Sequence, residues 1–260
     1  KKTKAIIPVH FSGHPCQLDE IYKISKKHNL IVIEDSAHAF GTYYKKKLLG
    51  SFGNLSCFSF DGIKNITSGE GGCVVLNNEK IYKKINDARL LGVLGDSEKR
   101  YHRKRSWKFN VKEQGWRYHM SDLNAAIGRA QLKRFSEMSK KRKLICKSYD
   151  KYLSRFKNYF DLFKRNFESE VPHIYCILIK NLKKREKLRQ DLQKKNIQTG
   201  LHYIPGYKLT YFKDKEKKFP NYKKTFSNIL TLPVHPDLTI KKVNYISRTL
   251  VKLIKKNKYF

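Results

Sequence analysis

Three consecutive stretches decide the fold: Ala5-Ile6-Ile7-Pro8-Val9, the segment Leu18 to His28, and Leu30-Ile31-Val32-Ile33-Glu34-Asp35. The outer two are short apolar runs of strand length, and the middle one repeats its apolar residues at helical spacing. Strand, helix, strand is the order of a parallel crossover unit, in which the chain must travel the length of the sheet before the next strand begins. Further strands are predicted at Leu55 to Phe60 and Cys73 to Leu76, and a helix from Glu79 to about Leu91. The first half therefore reads as α/β with buried strands, and strand ends are where such a sheet carries its chemistry.

Beyond this core the sequence changes character. From Asp96 to Gly115 it is polar, aromatic and irregular, which predicts an exposed excursion, with an arm to another subunit as one use for it. Ser121-Asp122 offers an N-cap for a helix over Leu123 to Phe135, and the pattern resumes from about Lys140 to Leu153. A strand at Ile174 to Ile179, a charged helix at Lys183 to Lys195, a loop holding Gly200 to Pro205 and a closing helix from about Ile240 to Ile254 complete the chain. A boundary near Phe135 divides residues 1–135, an α/β domain, from residues 136–260, a small α+β domain.

The formal net charge of +35 makes nucleic acid or an anionic membrane the first partner to consider. Lysines recur along most of the chain, however, at Lys26 and Lys27, Lys45 to Lys47, Lys183 and Lys184, and Lys215 to Lys218, rather than forming one footprint. A lysine-biased solvated surface is the plainer account, and basic aromatic stretches such as Tyr101 to Trp107 keep nucleic acid as the alternative. No apolar stretch is long enough to span a bilayer, and the opening residues do not lead into a signal-peptide core. The five cysteines are widely spaced and lack C-x-x-C pairing, so neither a disulfide framework nor a zinc site is suggested and a reducing cytoplasm fits.

Taken singly, the candidate residues say little. Lys64 is one lysine among many, yet the apolar Cys57-Phe58-Ser59-Phe60 precedes it and Ser68-Gly69-Glu70-Gly71-Gly72 follows it. Partial burial between strand and turn would favour a nucleophilic amine, as imine formation with an aldehyde requires. The glycines either let backbone approach a bound group or make a tight turn into the next strand. Asp35, at a strand end, either caps the next segment or pairs with a pyridinium nitrogen. His38 is either a satisfied core histidine or a contact to a cofactor ring.

In order and separation, Glu34-Asp35-Ser36-Ala37-His38-Ala39-Phe40-Gly41, Ser59-Phe60-Asp61-Gly62-Ile63-Lys64-Asn65 and Gly69-Glu70-Gly71-Gly72 resemble the motifs of the DegT/DnrJ/EryC1/StrS aminotransferases. The resemblance continues through Gly115-Trp116-Arg117-Tyr118-His119-Met120-Ser121-Asp122, through Asn196 to Tyr203, and through Leu232-Pro233-Val234-His235-Pro236. It implies the fold of type I pyridoxal-phosphate-dependent transferases, with residues 1–135 a portion of the large cofactor-binding domain and pyridoxal 5'-phosphate as cofactor. Lys64 becomes the Schiff-base lysine and general acid/base, Asp35 the partner of the pyridine nitrogen and Ser59 a phosphate contact, with His38 against the ring. Trp116, Arg117 and His119 fall in the segment that reaches a neighbouring subunit's cofactor phosphate, Arg117 and His119 replacing the commonest Asn and Arg. His202 and Tyr203 fall in the substrate-side loop, and Tyr207 stands where many members carry histidine.

The resemblance further implies a homodimer with active sites at its interface. The reaction implied is transamination of a nucleotide-linked keto-sugar, with glutamate as donor, for surface polysaccharide or glycan biosynthesis. Family chains normally open with a leading segment holding a cofactor-phosphate loop and a ring-stacking aromatic, neither of which precedes Lys1. The expectation is therefore of a fragment or truncated product with low or no activity alone, and a non-catalytic remnant of the fold is the alternative.

Overall fold

In a computed structural model of the chain, residues 2–52, 55–95, 102, 104, 107–212, 220–256 and 258–260 are described. They form two units, one from the start of the chain to His10 with Cys16–Ala37 and Tyr44–Lys133, the other from Phe11–Pro15, His38–Tyr43 and Arg134–Phe260.

The first unit is built on a four-stranded sheet in the order β1-β2-β5-β6. Strands β1 (Ala5–Ile6), β2 (Ile31–Asp35) and β5 (Leu55–Ser59) are parallel, and β6 (Gly72–Val75) returns antiparallel to β5. Helix α1 (Leu18–His28) makes the crossover from β1 to β2 and packs on both. Asp19 and Glu20 sit in its first turn and Lys26, Lys27 and His28 in its last, which suits the helix dipole at both ends. Asn29 stops it in the left-handed conformation. A short ribbon, β3 (Tyr43–Tyr44) and β4 (Lys47–Leu48), turns through Lys45 and Lys46, both at positive φ. Helix α2 (Glu79–Ala88) follows β6, capped by Asn78, whose side chain accepts from Ile81 N at 3.0 Å.

The expectation of strands buried on both faces holds only in part. In β2 and β5 burial alternates, with Val32, Glu34, Ser56 and Phe58 buried and Ile33, Asp35, Leu55, Cys57 and Ser59 half-open, while β6 is exposed throughout. The period of two is that of a sheet covered on one face. The half-open face carries Asp35 and Ser59.

The second unit carries an antiparallel sheet, β7 (Phe160–Leu162), β8 (Tyr175–Ile179) and β9 (Ile229–Leu232). Its helices are the later part of α3 (Asp122–Leu153), then α4 (Arg185–Gln193), α5 (Pro220–Asn228) and α6 (Ile240–Lys255). One apolar cluster joins the sheet to α3, α4 and α6, through Ile145, Ile177, Leu188, Leu230 and Leu250 among others. Val243, Ile246, Leu250 and Ile254 mark the buried stripe of α6, and Thr239 caps it by accepting from Lys242 N at 3.3 Å. Leu250→Ala is expected to cost about 2–5 kcal/mol, because the fully buried site cannot collapse onto a methyl group. Urea unfolding would read it, and a loss well under that range would mean a looser core than the burial indicates.

α3 is one continuous helix where the pattern predicts two. Neither glycine nor proline falls between Phe135 and Lys140, so nothing breaks the hydrogen-bond ladder. No helix among the described residues is long and apolar enough to cross a membrane.

Candidate active site

Asp35 closes β2, and its backbone is held on both sides. Asp35 N donates to Pro8 O at 2.9 Å, and Asp35 O accepts from His10 N at 3.0 Å. The next residue, Ser36, donates from its N to Cys57 O at 2.9 Å, so the end of β2 is pinned to β5 as well. Asp35 is in register with Cys57, so their side chains share a face, and Ser59 lies on that face roughly 7 Å further along β5. Asp35 Oδ1 accepts from Ala37 N at 3.1 Å, which orients the carboxylate. Ser59 Oγ accepts from Asp61 N at 3.4 Å.

Lys64 stands in the loop of the β5–β6 hairpin, beyond the carboxyl ends of the parallel strands. The loop is closed by Phe60 N to Gly71 O at 2.8 Å and Ser68 N to Phe60 O at 2.9 Å. Within it, Asp61 Oδ1 accepts from Ile63 N at 2.9 Å, and Asp61 O accepts from Lys64 N at 3.0 Å. This Asx turn fixes the backbone from which the half-buried Lys64 side chain extends. The first unit thus places Asp35, Ser59 and the loop that carries Lys64 at one end of one sheet.

The glycines lie where the hairpin turns into β6, with Gly69 at φ 83°. A Cβ on Gly72 would lie 2.4 Å from Phe58 O, against the backbone of β5 itself. Gly72→Ala is expected to push β6 away from β5 and disturb the Lys64 loop. Slowed amide exchange at Phe60 and Ser68 in the wild type, lost in the variant, would register it.

The segment Gly115 to Tyr118 lies against the end of α2. Trp116 N donates to Ala88 O at 2.7 Å, Tyr118 N to Arg89 O at 2.8 Å, and Leu91 N to Trp116 O at 3.0 Å. A Cβ on Gly115 would lie 2.1 Å from Gly92 N, so only glycine permits this approach. Trp116 stacks on Tyr118 at 6.1 Å, and both are exposed, as is Arg117. His119 lines a pocket of about 850 Å³ with Glu70, Gly71, Cys73, Met120 and Asn124. Its Nδ1 is buried and has no hydrogen-bond partner among the described residues. A buried nitrogen in this condition is open to a polar group.

In the second unit, His38 Nδ1 accepts from Ser12 N at 3.3 Å, and His38 Nε2 lies 2.9 Å from Tyr203 Oη. Of the residues assigned by resemblance, these two are brought into contact. His202 Nδ1 hydrogen-bonds Thr231 Oγ1 at 2.9 Å. Tyr101 to Trp107 lies mostly outside the described residues, apart from His102, Lys104 and an exposed Trp107.

Residues 1–251 match the DegT/DnrJ/EryC1/StrS aminotransferase family. The chain belongs to this family. It is 33% identical to UDP-4-amino-4,6-dideoxy-N-acetyl-beta-L-altrosamine transaminase of Campylobacter jejuni, over 98% of the chain and 66% of that protein. Among solved structures it superposes with a TM-score of 0.88 on Helicobacter pylori PseC, an aminotransferase of pseudoaminic acid biosynthesis. There the identity is 28%, and the match covers 98% of the chain and 68% of the other. The pyridoxal-phosphate form of the sugar aminotransferase Spr1654 from Streptococcus pneumoniae gives the same TM-score and identity, with 98% and 69% covered. The fold is accordingly that of the type I pyridoxal-phosphate-dependent sugar aminotransferases. The chain spans about two thirds of the length of the curated relatives it matches.

The residues present fit the family's cofactor. A carboxylate suits a protonated ring nitrogen, a serine hydroxyl can donate to phosphate, and a lysine amine can condense with an aldehyde. Asp35 and Ser59 close neighbouring strands, and Lys64 stands in the loop that follows β5. Ser12 and Arg165 form a hydrogen-bonded network in the second unit that falls in none of the motifs quoted from the sequence.

Proposed function

We propose that the chain carries the cofactor-binding and catalytic residues of an aminotransferase that converts a nucleotide-linked keto-sugar to an amino sugar for glycan biosynthesis, with glutamate as the amino donor. One observation carries this reading above the rest. Asp35, Ser59 and the Lys64 loop lie at the carboxyl ends of adjoining strands in a chain of this family.

In this reading Lys64 is the covalent attachment point and, once released, the group that moves a proton at its Nζ. Asp35 keeps a proton on the ring nitrogen, Ser59 holds the phosphate, and His38 lies against the ring. When bound, the cofactor supplies the electron sink for cleavage of a bond to the substrate's amino-bearing carbon. Trp116, Arg117 and His119 would contact a cofactor phosphate across subunits, and His202 and Tyr203 the sugar. The orphaned His119 nitrogen supports a polar ligand there. Exposed Trp116, Tyr118, Leu123 and Ile127 are the apolar residues that a homodimer would cover in this reading.

The test is to add pyridoxal phosphate to the purified chain, reduce with borohydride and map the modified peptide. Label concentrated on Lys64 supports the reading. Label spread over the surface lysines, with none enriched at Lys64, overturns it and leaves a remnant of the fold without its catalytic site.

A further inference from the structure

Ser12 is 2% exposed and has φ 61° and ψ 19°, the left-handed region that a serine seldom enters. Such a conformation persists only where its surroundings fix it. Here they do. Arg165 Nη1 donates to Ser12 O at 2.9 Å and Nη2 to Ser12 Oγ at 2.5 Å, while Ser12 Oγ donates to Ile174 O at 2.6 Å. The Arg165 side chain is itself buried and lies 3.9 Å from Glu170, whose Oε1 accepts from Asn166 N at 3.0 Å. A buried arginine and the Ile174 carbonyl thus hold one serine, with the Glu170 carboxylate behind the arginine.

The product of this strain is the direction of Ser12 N–H, which points at His38 Nδ1. A ring nitrogen that accepts from a backbone N–H carries no proton, so the imidazole proton of a neutral His38 resides on Nε2. Nε2 lies 2.9 Å from Tyr203 Oη, which accepts it. His38 is held in the ring plane this requires by His173, at 4.4 Å between ring centroids, and by Phe11 at 6.0 Å. Tyr203 is set from its other end by Tyr222 Oη, which donates to Tyr203 O at 2.7 Å.

We propose that Ser12 and Arg165 are positioning residues, locking His38 as the Nε2-protonated imidazole and thereby fixing Tyr203 as a hydrogen-bond donor toward a hydroxyl or carbonyl oxygen of the sugar. The lock is a statement about the second unit alone. Its service to the sugar rests on the function proposed above, in which His38 and Tyr203 face cofactor and substrate. Accepting from His38 commits a lone pair of Oη, and the O–H proton of Tyr203 then serves as a donor.

The experiment is long-range proton–nitrogen NMR on the histidine-labelled chain, with His38 assigned from His38→Gln. The expected result is an unprotonated Nδ1 and a protonated Nε2 in the wild type. Ser12→Gly keeps the backbone angle within reach but removes the Oγ contacts, and Arg165→Gln removes the clamp. Both are expected to give averaged or reversed tautomers with unchanged circular dichroism. Tyr203→Phe, at a half-exposed position, is expected to retain the unprotonated Nδ1 while speeding solvent exchange of the Nε2 proton. A protonated Nδ1 in the wild type overturns the proposal, whatever the variants do. So does a tautomer that survives both Ser12→Gly and Arg165→Gln, or an Nε2 exchange rate that Tyr203→Phe leaves unchanged. No cofactor is needed for these measurements. An intact lock without labelling at Lys64 would sink the functional reading only, and labelling at Lys64 without the lock would sink this inference only.

Discussion

Lys64→Ala is expected to abolish borohydride-stable labelling of its peptide by pyridoxal phosphate, and Lys64→Arg to do the same, since a guanidinium keeps the charge but offers no condensing amine. Asp35→Ala is expected to behave differently, leaving the labelled peptide at Lys64 but weakening retention of the cofactor. A hydrogen bond to a charged group contributes about 1.5–3 kcal/mol, or roughly 10- to 150-fold in dissociation constant. The pair separates attachment from recognition, because Asp35 closes β2 while Lys64 extends from the β5–β6 loop. Titration of cofactor absorbance and mapping of the reduced peptide read the two effects independently. Undiminished labelling in Lys64→Ala at a neighbouring lysine would remove Lys64 from its role, and unchanged retention in Asp35→Ala would remove Asp35 from the ring nitrogen.

The 57 lysines and arginines of the chain explain why such discrimination was hard to reach from composition. What singles out Lys64 as a candidate is its setting between an apolar strand and a glycine-rich turn, and the order of the family's motifs around it. The structure places that setting in the loop of the β5–β6 hairpin. Strands β2 and β5 were legible because their apolar runs are rich in residues that pack on a pleated surface. α1 was legible because its apolar residues keep helical spacing over the span Leu18–His28 that the structure shows.

Other elements gave no such agreement. β7 is a three-residue strand around Asp161, too short to show a period. β9 is wholly buried and reads in sequence as an apolar run merging into Pro233. α5 has a lysine- and aromatic-rich sequence that resembles its flanks. The Ser12–Arg165 contact joins residues 153 apart and the His38–Tyr203 contact residues 165 apart. His38 and Tyr203 were each singled out by resemblance, but only the folded chain pairs them. Ser12 belongs to none of the motifs, and its one unusual property is a backbone angle that no sequence pattern displays.

Glu34→Ala is expected to destabilise the chain by about 2–6 kcal/mol, the cost of leaving two buried donors without their acceptor. Glu34 is 1% exposed and His10 0%, and the carboxylate meets both His10 Nε2, at 3.0 Å, and the Tyr22 hydroxyl, which donates to it. His10 Nδ1 accepts from Cys16 N at 3.0 Å, so its proton sits on Nε2 and is donated to Glu34. Alanine would leave that N–H and the tyrosine O–H facing a cavity, two buried donors without acceptors, each costing about 1–3 kcal/mol. Glu34→Gln keeps the shape and one carbonyl acceptor but turns an NH₂ donor toward the other partner, so its cost is expected to be smaller, about 1–3 kcal/mol. The whole stability of a domain is about 5–15 kcal/mol, so the alanine variant would stand near the edge of unfolding. Urea denaturation of the two variants beside the wild type decides the matter. A Glu34→Ala loss under about 1 kcal/mol would mean that water satisfies both donors. The residue beside Asp35 would then be part of the motif for some reason other than holding α1 and the loop after β1 against the end of β2.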